Sequence, residues 1–203
     1  MSTQTRLYYV HDPMCSWCWA FRPTWLKVVA GMPPGIRVQR LLGGLAPDSR
    51  VPMEPELQLY LQQTWRRIQQ RVPGSEFNFD FWRICQPRRS TYPACRAVIA
   101  AREQDGTAEE RMIHAIQQAY YLQARNPSDD AQLVELADGI GLDAGRFAAR
   151  LSAAETNATL LREIEFGQRI GAQGFPSLIL QQGGRYRTLD YDYNDPQVVL
   201  DQL

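Results

Sequence analysis

The chain has 203 residues, of which 44% are hydrophobic and 22% charged, and this composition is typical of a folded globular protein rather than a disordered or fibrous one. Its 22 basic and 22 acidic residues give zero net charge, so we expect no nucleic-acid or membrane partner held by overall charge. Four cysteines are too few for a disulfide framework. With no signal peptide and no apolar run of about 18 residues, the sequence predicts a cytoplasmic protein.

Residues 1–48 are expected to form a strand, a helix and a second strand. Residues 7–10 favour a strand, which ends before Pro13 because proline cannot donate a hydrogen bond in a sheet. Residues 15–29 are apolar and aromatic with helical spacing, and Pro23 lies in their interior. After a break rich in glycine and proline, residues 36–42 predict the second strand. The order is that of a βαβ unit.

Residues 49–154 predict an all-helical insertion, rich in Ala, Gln, Arg, Leu and Glu. The first helix has one apolar face, made of Leu57, Leu61, Thr64, Trp65 and Ile68. Further helices are predicted over 93–104, 109–123, 129–139 and 143–151. Ser128 or Asp129 is placed to cap the helix at 129–139, and Asp143 to cap the last one.

Residues 155–203 predict a helix, two strands and a final helix. The first helix covers 156–170, and an apolar strand at 178–180 is followed by a turn and a return strand at 185–189. Asp195 and Pro196 then open a helix that we expect to run to Leu203. Without the helical insertion, residues 1–48 and 155–203 have the element order of a thioredoxin fold, an α/β architecture.

Cys15 and Cys18 form a C-x-x-C motif at the junction of the predicted strand and helix. A helix N-terminus stabilises a cysteine thiolate, so Cys15 is the predicted nucleophile. Cys18 lies one turn later on the same face, where it can attack a mixed disulfide and release the substrate. A structural zinc site is the alternative, but it needs four Cys or His ligands, and the remaining cysteines and histidines have no suitable spacing. Two unreactive core cysteines are the other alternative.

A second motif, Gly174-Phe175-Pro176-Ser177, precedes a predicted strand. If the bond between Phe175 and Pro176 is cis, the tight turn exposes the backbone of Phe175, which can pair with an extended substrate beside Cys15. The alternative is a proline that only begins the strand. Phe175 and Pro176 are predicted to bind substrate, together with Ser16 and Trp17, and we expect Trp17 at the surface.

Both motifs resemble those of the DsbA-like family of thiol–disulfide oxidoreductases, and in particular its cytosolic branch of protein-disulfide isomerases. The resemblance is carried by residues 8–21, by the helical insertion and by residues 174–178. It implies a thioredoxin fold with an inserted helical domain, Cys15 as nucleophile, Cys18 as resolving thiol and Pro176 as a cis-proline facing them. The implied substrates are protein or small-molecule disulfides, with no cofactor beyond the redox-active cysteine pair and with glutathione left open as a co-substrate.

The chain also resembles, more distantly, the kappa-class glutathione transferases and the 2-hydroxychromene-2-carboxylate isomerases, which typically have serine where Cys15 stands. A glutathione-dependent isomerase or transferase is therefore the alternative function, and it would have no use for Cys18. A third hypothesis is a binding or chaperone module in which the thiols are incidental. In a reducing cytosol, reduction or isomerisation of disulfides is favoured over net oxidation.

Ser16 and Trp17 stand between the cysteines, where periplasmic oxidants of the resembled family carry Pro-His and use the histidine to stabilise the thiolate. Trp17 brings no titratable charge, so we expect a potential of about −200 to −270 mV rather than about −120 mV. His11 and Asp12 are predicted modulators of the thiols, because they immediately precede the motif.

Outside these motifs, Cys85 and Cys95 could form a disulfide or simply pack in the core. His114 is predicted to be structural. Arg88 and Arg89 are predicted to lie in a solvated loop.

Overall fold

In the computed structural model, which describes residues 5–203, four strands form one mixed sheet in the order β2-β1-β3-β4. The central strand β1 (Arg6–His11) pairs in parallel with β2 (Arg37–Leu42) and antiparallel with β3 (Ser177–Gln182). β4 (Arg185–Leu189) completes the sheet beside β3. The two ends of the chain therefore build one sheet, as the thioredoxin-like prediction requires.

Helix α1 (Ser16–Ala30) connects β1 to β2 and packs on the sheet. Its buried residues Phe21, Trp25 and Val28 share one core with Leu7 of β1 and with buried residues of β3 and β4. The predicted βαβ unit is confirmed, with Pro23 inside the helix.

Six helices form the insertion, and they are α2 (Pro55–Arg71), α3 (Phe81–Ile84), α4 (Tyr92–Gln104), α5 (Ala108–Tyr121), α6 (Asp130–Gly139) and α7 (Ala144–Leu151). Their largest core surrounds α4, which is buried along most of its length. The all-helical insertion is confirmed, and the four-residue α3 is an addition. The exact domain boundaries at residues 48 and 154 stay a prediction.

The predicted helix caps had different outcomes. Asp143 accepts a hydrogen bond from the Arg146 amide at 2.7 Å and so caps α7 as expected. No side chain caps α6, because Asp129 instead pairs with Arg88 and Ser128 donates its hydroxyl to Ser90.

Two helices complete the chain, α8 (Ala154–Arg169) before β3 and α9 (Gln197–Leu200) after β4. The Asp195 carboxylate accepts a hydrogen bond from the Gln197 amide at 2.8 Å, in agreement with the predicted start of the last helix. The predicted end at Leu203 is wrong, because α9 stops at Leu200. Beyond this helix, the Gln202 carbonyl accepts a hydrogen bond from Arg187, and the Gln202 side chain hydrogen-bonds with the backbone of Asp190 next to β4.

A network of half-buried ion pairs joins the insertion to the sheet. It connects α1, β2, α4, α5 and α8 through Arg22, Arg40, Arg102, Glu109, Glu110 and Glu163. Each of these arginines contacts at least one carboxylate, so charge is balanced where α4 and α5 of the insertion meet α1, β2 and α8. In the described part of the chain, no helix has the length and apolar character needed to cross a membrane.

Candidate active site

Cys15 lies at the N-terminus of α1, just beyond the turn that follows β1. Its backbone is extended, its amide donates to the Asp12 carbonyl at 3.0 Å, and its carbonyl accepts the Trp19 amide at 3.0 Å. The Cys15 side chain makes no capping hydrogen bond to the helix. The thiol therefore stands at the end of α1 where unpaired amide groups and the helix dipole stabilise negative charge.

The loop before β3 faces Cys15. The peptide bond between Phe175 and Pro176 is cis, and the Cys15 thiol donates to the Phe175 carbonyl with an Sγ–O distance of 3.6 Å. Ser177 closes the turn by donating its hydroxyl to the Gly174 carbonyl at 2.7 Å. The two motifs, 160 residues apart, thus meet at one point.

Cys18 follows one turn later and is less accessible than Cys15. It is 1% exposed, against 6% for Cys15, and no disulfide joins the two residues in the structure. Burial raises the pKa of the Cys18 thiol well above its usual value, and neighbouring Cys15 raises it further, while a backbone hydrogen bond from Asp12 opposes the change. At neutral pH, Cys18 is therefore a protonated thiol.

Asp12 is fully buried, and its carboxylate holds three segments together. It accepts hydrogen bonds from the Met14 amide at 2.8 Å, the Leu45 amide at 2.7 Å, the Thr91 hydroxyl at 2.7 Å and the Cys95 thiol at 3.4 Å. Burial raises the pKa of Asp12, and these hydrogen bonds oppose that rise. Asp12 therefore braces the turn before Cys15 against the loop after β2 and the start of α4.

His11 is 1% exposed and stacks on Tyr9, with ring centroids 4.9 Å apart. Burial lowers its pKa to about 3, and repulsion from Arg40, Arg102 and Arg22 acts in the same direction. The imidazole is therefore neutral at pH 7. No side-chain hydrogen bond joins His11 to Cys15 within residues 5–203, and its role as a modulator stays a prediction.

A cleft of about 460 Å³ opens in front of Cys15, between the sheet and the insertion. Ser16, Trp17 and Phe175 line it, whereas the fourth predicted substrate-binding residue, Pro176, is buried. Trp17 is partly exposed at the cleft, and its ring packs on Tyr193 with centroids 5.0 Å apart. Across residues 5–203, no three His, Cys, Asp or Glu side chains come together as a metal site.

A family model described as a DSBA-like thioredoxin domain matches residues 7–196. The chain belongs to this family. Among solved structures, it is similar to a candidate protein disulfide isomerase from Nitrosomonas europaea, with 25% identity, 98% of this chain and 95% of that chain covered, and a TM-score of 0.85.

It is also similar to the cytosolic disulfide reductase DsbM from Pseudomonas aeruginosa, with 29% identity, 91% and 89% coverage, and a TM-score of 0.75. A structure of DsbM with GSH matches at 28% identity over the same shares, with a TM-score of 0.72. No curated protein matches the chain. It is a DsbA-like thiol–disulfide oxidoreductase with its Cys15–Cys18 pair close together.

Two features of this DSBA-like site were missed by sequence reasoning. Gly43 at the end of β2 lies against the ring of Phe175, and a Cβ atom there would be 1.9 Å from the ring. The Gly43-Gly44 pair in the sequence was the available signal, but it indicated only the end of a strand.

Arg88 and Arg89 are the second missed feature, because they lie in a loop, as predicted, but are half-buried there rather than fully solvated. Both line the cleft. Two backbone contacts hold their segment in place. The Pro87 carbonyl accepts a hydrogen bond from the Met53 amide at 2.8 Å, and the backbones of Arg88 and Pro52 form an isolated antiparallel β-bridge.

Cys85 and Cys95 form no disulfide in the DSBA-like chain. Both thiols are free, Cys95 is buried against Asp12, and Cys85 donates to the Ala124 carbonyl at 3.0 Å. His114 is half-buried on α5, and burial lowers its pKa.

Proposed function

We propose that this protein reduces or isomerises disulfides in the cytoplasm, with Cys15 as the nucleophile and Cys18 as the resolving thiol. The observation that carries the proposal is the asymmetry of the pair. Cys15 stands at the helix N-terminus beside the cleft and the Phe175 carbonyl, whereas Cys18 is enclosed and its pKa is raised by burial. An incoming disulfide therefore reaches Cys15 first.

The reaction consists of two exchanges. The Cys15 thiolate attacks one sulfur of the substrate disulfide, forms a mixed disulfide and releases the first substrate thiolate, which takes a proton from water. Cys18 then loses its proton and attacks the Cys15 sulfur, so that the second substrate thiol leaves and a Cys15–Cys18 disulfide forms. The substrate gains two electrons and the cysteine pair loses two. Two equivalents of a thiol return the pair to its reduced state.

Ser16, Trp17, Phe175 and Pro176 are proposed to position the substrate. The turn at the cis bond presents the Phe175 backbone beside Cys15, which suits pairing with an extended peptide, while Ser16 and Trp17 border the cleft. Glutathione is a suitable donor of the two thiol equivalents, and the similarity to DsbM, which has a structure with GSH, supports it. The cytosolic assignment of DsbM supports reduction or isomerisation rather than net oxidation.

The proposal is tested with a Cys18→Ala variant, which removes the resolving thiol. Reduced wild-type and variant protein are mixed with a disulfide-linked model peptide, quenched in acid, alkylated and analysed by mass spectrometry. We expect the variant to retain a mixed disulfide on Cys15 and the wild type to form the Cys15–Cys18 disulfide. Cys15→Ser should abolish both products, and Cys85→Ser, which removes a thiol outside the cleft, should behave as wild type.

The same variants separate the proposal from the glutathione-dependent isomerase or transferase. If Cys18→Ala turns over disulfides at the wild-type steady-state rate, the second thiol has no role, and a monothiol mechanism replaces the dithiol one. If Cys15→Ser keeps the disulfide-exchange activity, both the dithiol and the monothiol mechanism at Cys15 are excluded. A glutathione-dependent isomerase or transferase, by contrast, is expected to tolerate serine at this position.

A further inference from the structure

The cleft in front of Cys15 has an unbalanced charge. Among the described residues that line it, Arg88 and Arg89 are the charged side chains, and neither Asp nor Glu is present. The chain as a whole carries 22 basic and 22 acidic residues, so this excess of positive charge is local to the cleft. Positive charge in a confined cleft raises the local concentration of anions.

The two arginines differ in what they contact. Arg88 is neutralised by Asp129 and also donates to the Ser128 carbonyl at 2.6 Å. Arg89 has neither a carboxylate partner nor a side-chain hydrogen bond among residues 5–203, although it is half-buried. Tyr120 lines the same cleft, and burial raises the pKa of its phenol. The positive charge of Arg89 acts in the opposite direction and lowers that pKa. The unpaired positive charge of the cleft is therefore that of Arg89.

The neighbouring hydroxyl groups do not compete for an anion. Ser90 is buried, with its hydroxyl oxygen accepting the Ser49 amide at 3.1 Å, and Thr91 is buried and donates its hydroxyl to Asp12 at 2.7 Å. Arg89 is consequently the charged group on this wall that is free to pair with a carboxylate.

We infer that Arg89 is a specificity-determining residue that makes Cys15 react preferentially with small disulfides carrying a carboxylate. The inference rests on the proposed function, because it concerns the first exchange at Cys15. An anionic disulfide approaching the Cys15 thiolate meets repulsion, and a guanidinium in the same cleft offsets this repulsion by pairing with the carboxylate. Arg89 takes no part in the bond changes and acts by placing the substrate.

The test uses three disulfides of similar size and different charge, which are 3,3′-dithiodipropionate (anionic), bis(2-hydroxyethyl) disulfide (neutral) and cystamine (cationic). Reduced Cys18→Ala protein is used so that only the first exchange is measured, as the second-order rate constant of mixed-disulfide formation. Arg89→Gln, Arg89→Lys and Arg185→Gln are introduced into this background. Arg185 is exposed at the start of β4, away from the cleft, and is the matched control.

We expect Arg89→Gln to lower the rate constant for the anionic disulfide about tenfold, which corresponds to about 1.4 kcal/mol, and to change that for the neutral one by less than about twofold. Arg89→Lys should retain most of the preference, and Arg185→Gln all of it. Raising the ionic strength from about 0.01 M to about 1 M should reduce the preference of the parent protein, because the Debye length falls from about 30 Å to about 3 Å.

An equal decrease for all three disulfides, or no decrease for any, would overturn the role of Arg89. Failure of the proposed function looks different. In that case the parent protein forms no mixed disulfide even with the neutral compound, or forms it at a residue other than Cys15.

Discussion

Replacing His11 with phenylalanine should remove part of the acid sensitivity of the fold. The imidazole is 1% exposed and stacked on Tyr9, and its Nε2 atom has no hydrogen-bond partner in the described chain. A phenyl ring can occupy this stacked position without needing a polar partner. In the wild type, acid must place a charge on a side chain that the folded state keeps neutral, so folding opposes protonation.

The magnitude follows from the difference in pKa between the two states. His11 has an ordinary value of 6.5 when unfolded and about 3 when folded. The unfolded state therefore binds more protons between these values, and stability falls as the pH falls through this window. At about 1.36 kcal/mol per pH unit, lowering the pH from about 7 to about 4.5 lowers the free energy of unfolding by about 2 to 3 kcal/mol through His11 alone.

Urea denaturation of the wild type and His11→Phe at both pH values measures this effect. We expect the free energy of unfolding of the wild type to fall by about 2 to 3 kcal/mol more than that of the variant. Burial raises the pKa of Asp12, so this residue makes the fold more stable as the pH falls. Because Asp12 is present in both proteins, its contribution cancels when their losses are compared. His114→Phe is the matched control and should have a smaller effect, because His114 is only half-buried. Equal losses in the wild type and His11→Phe would refute the neutral buried imidazole.

Two further predictions concern the groups around the cysteine pair. In Gly43→Ala, the new Cβ would lie 1.9 Å from the Phe175 ring and should displace it, so we expect peptide disulfide exchange to slow at least about tenfold. The control Gly139→Ala places its Cβ in open space and should keep the wild-type rate. Wild-type rates in Gly43→Ala would show that the loop adjusts freely. Trp17→His should raise the reduction potential of the pair, measured in glutathione redox buffers, by about 30 mV or more from a wild-type value of about −200 to −270 mV. A wild-type value near −120 mV, or an unchanged potential in the variant, would contradict this reasoning.

The sequence by itself determined the fold class and the place of the redox motif. A strand followed by an apolar helix, a block of helical periodicity and a Phe-Pro step before a second apolar strand are local patterns, and local patterns follow from backbone geometry. The position of Cys15 at a helix N-terminus could therefore be predicted, because the start of α1 is encoded in the residues around it. The same holds for the cap at Asp143.

The tertiary structure alone decided the surroundings of the cysteines. The four hydrogen bonds of Asp12 reach as far as Cys95, 83 residues away, and the close approach of Gly43 and Phe175 joins strands from opposite ends of the chain. Arg89 belongs to a segment whose sequence is that of an ordinary polar loop, and only packing brings it to the cleft. Such contacts leave no periodic trace in the sequence, because they depend on how distant elements dock. The burial of His11, the hydrogen bonds by which Asp12 braces the turn before Cys15 and the position of Arg89 on the cleft wall all follow from that docking.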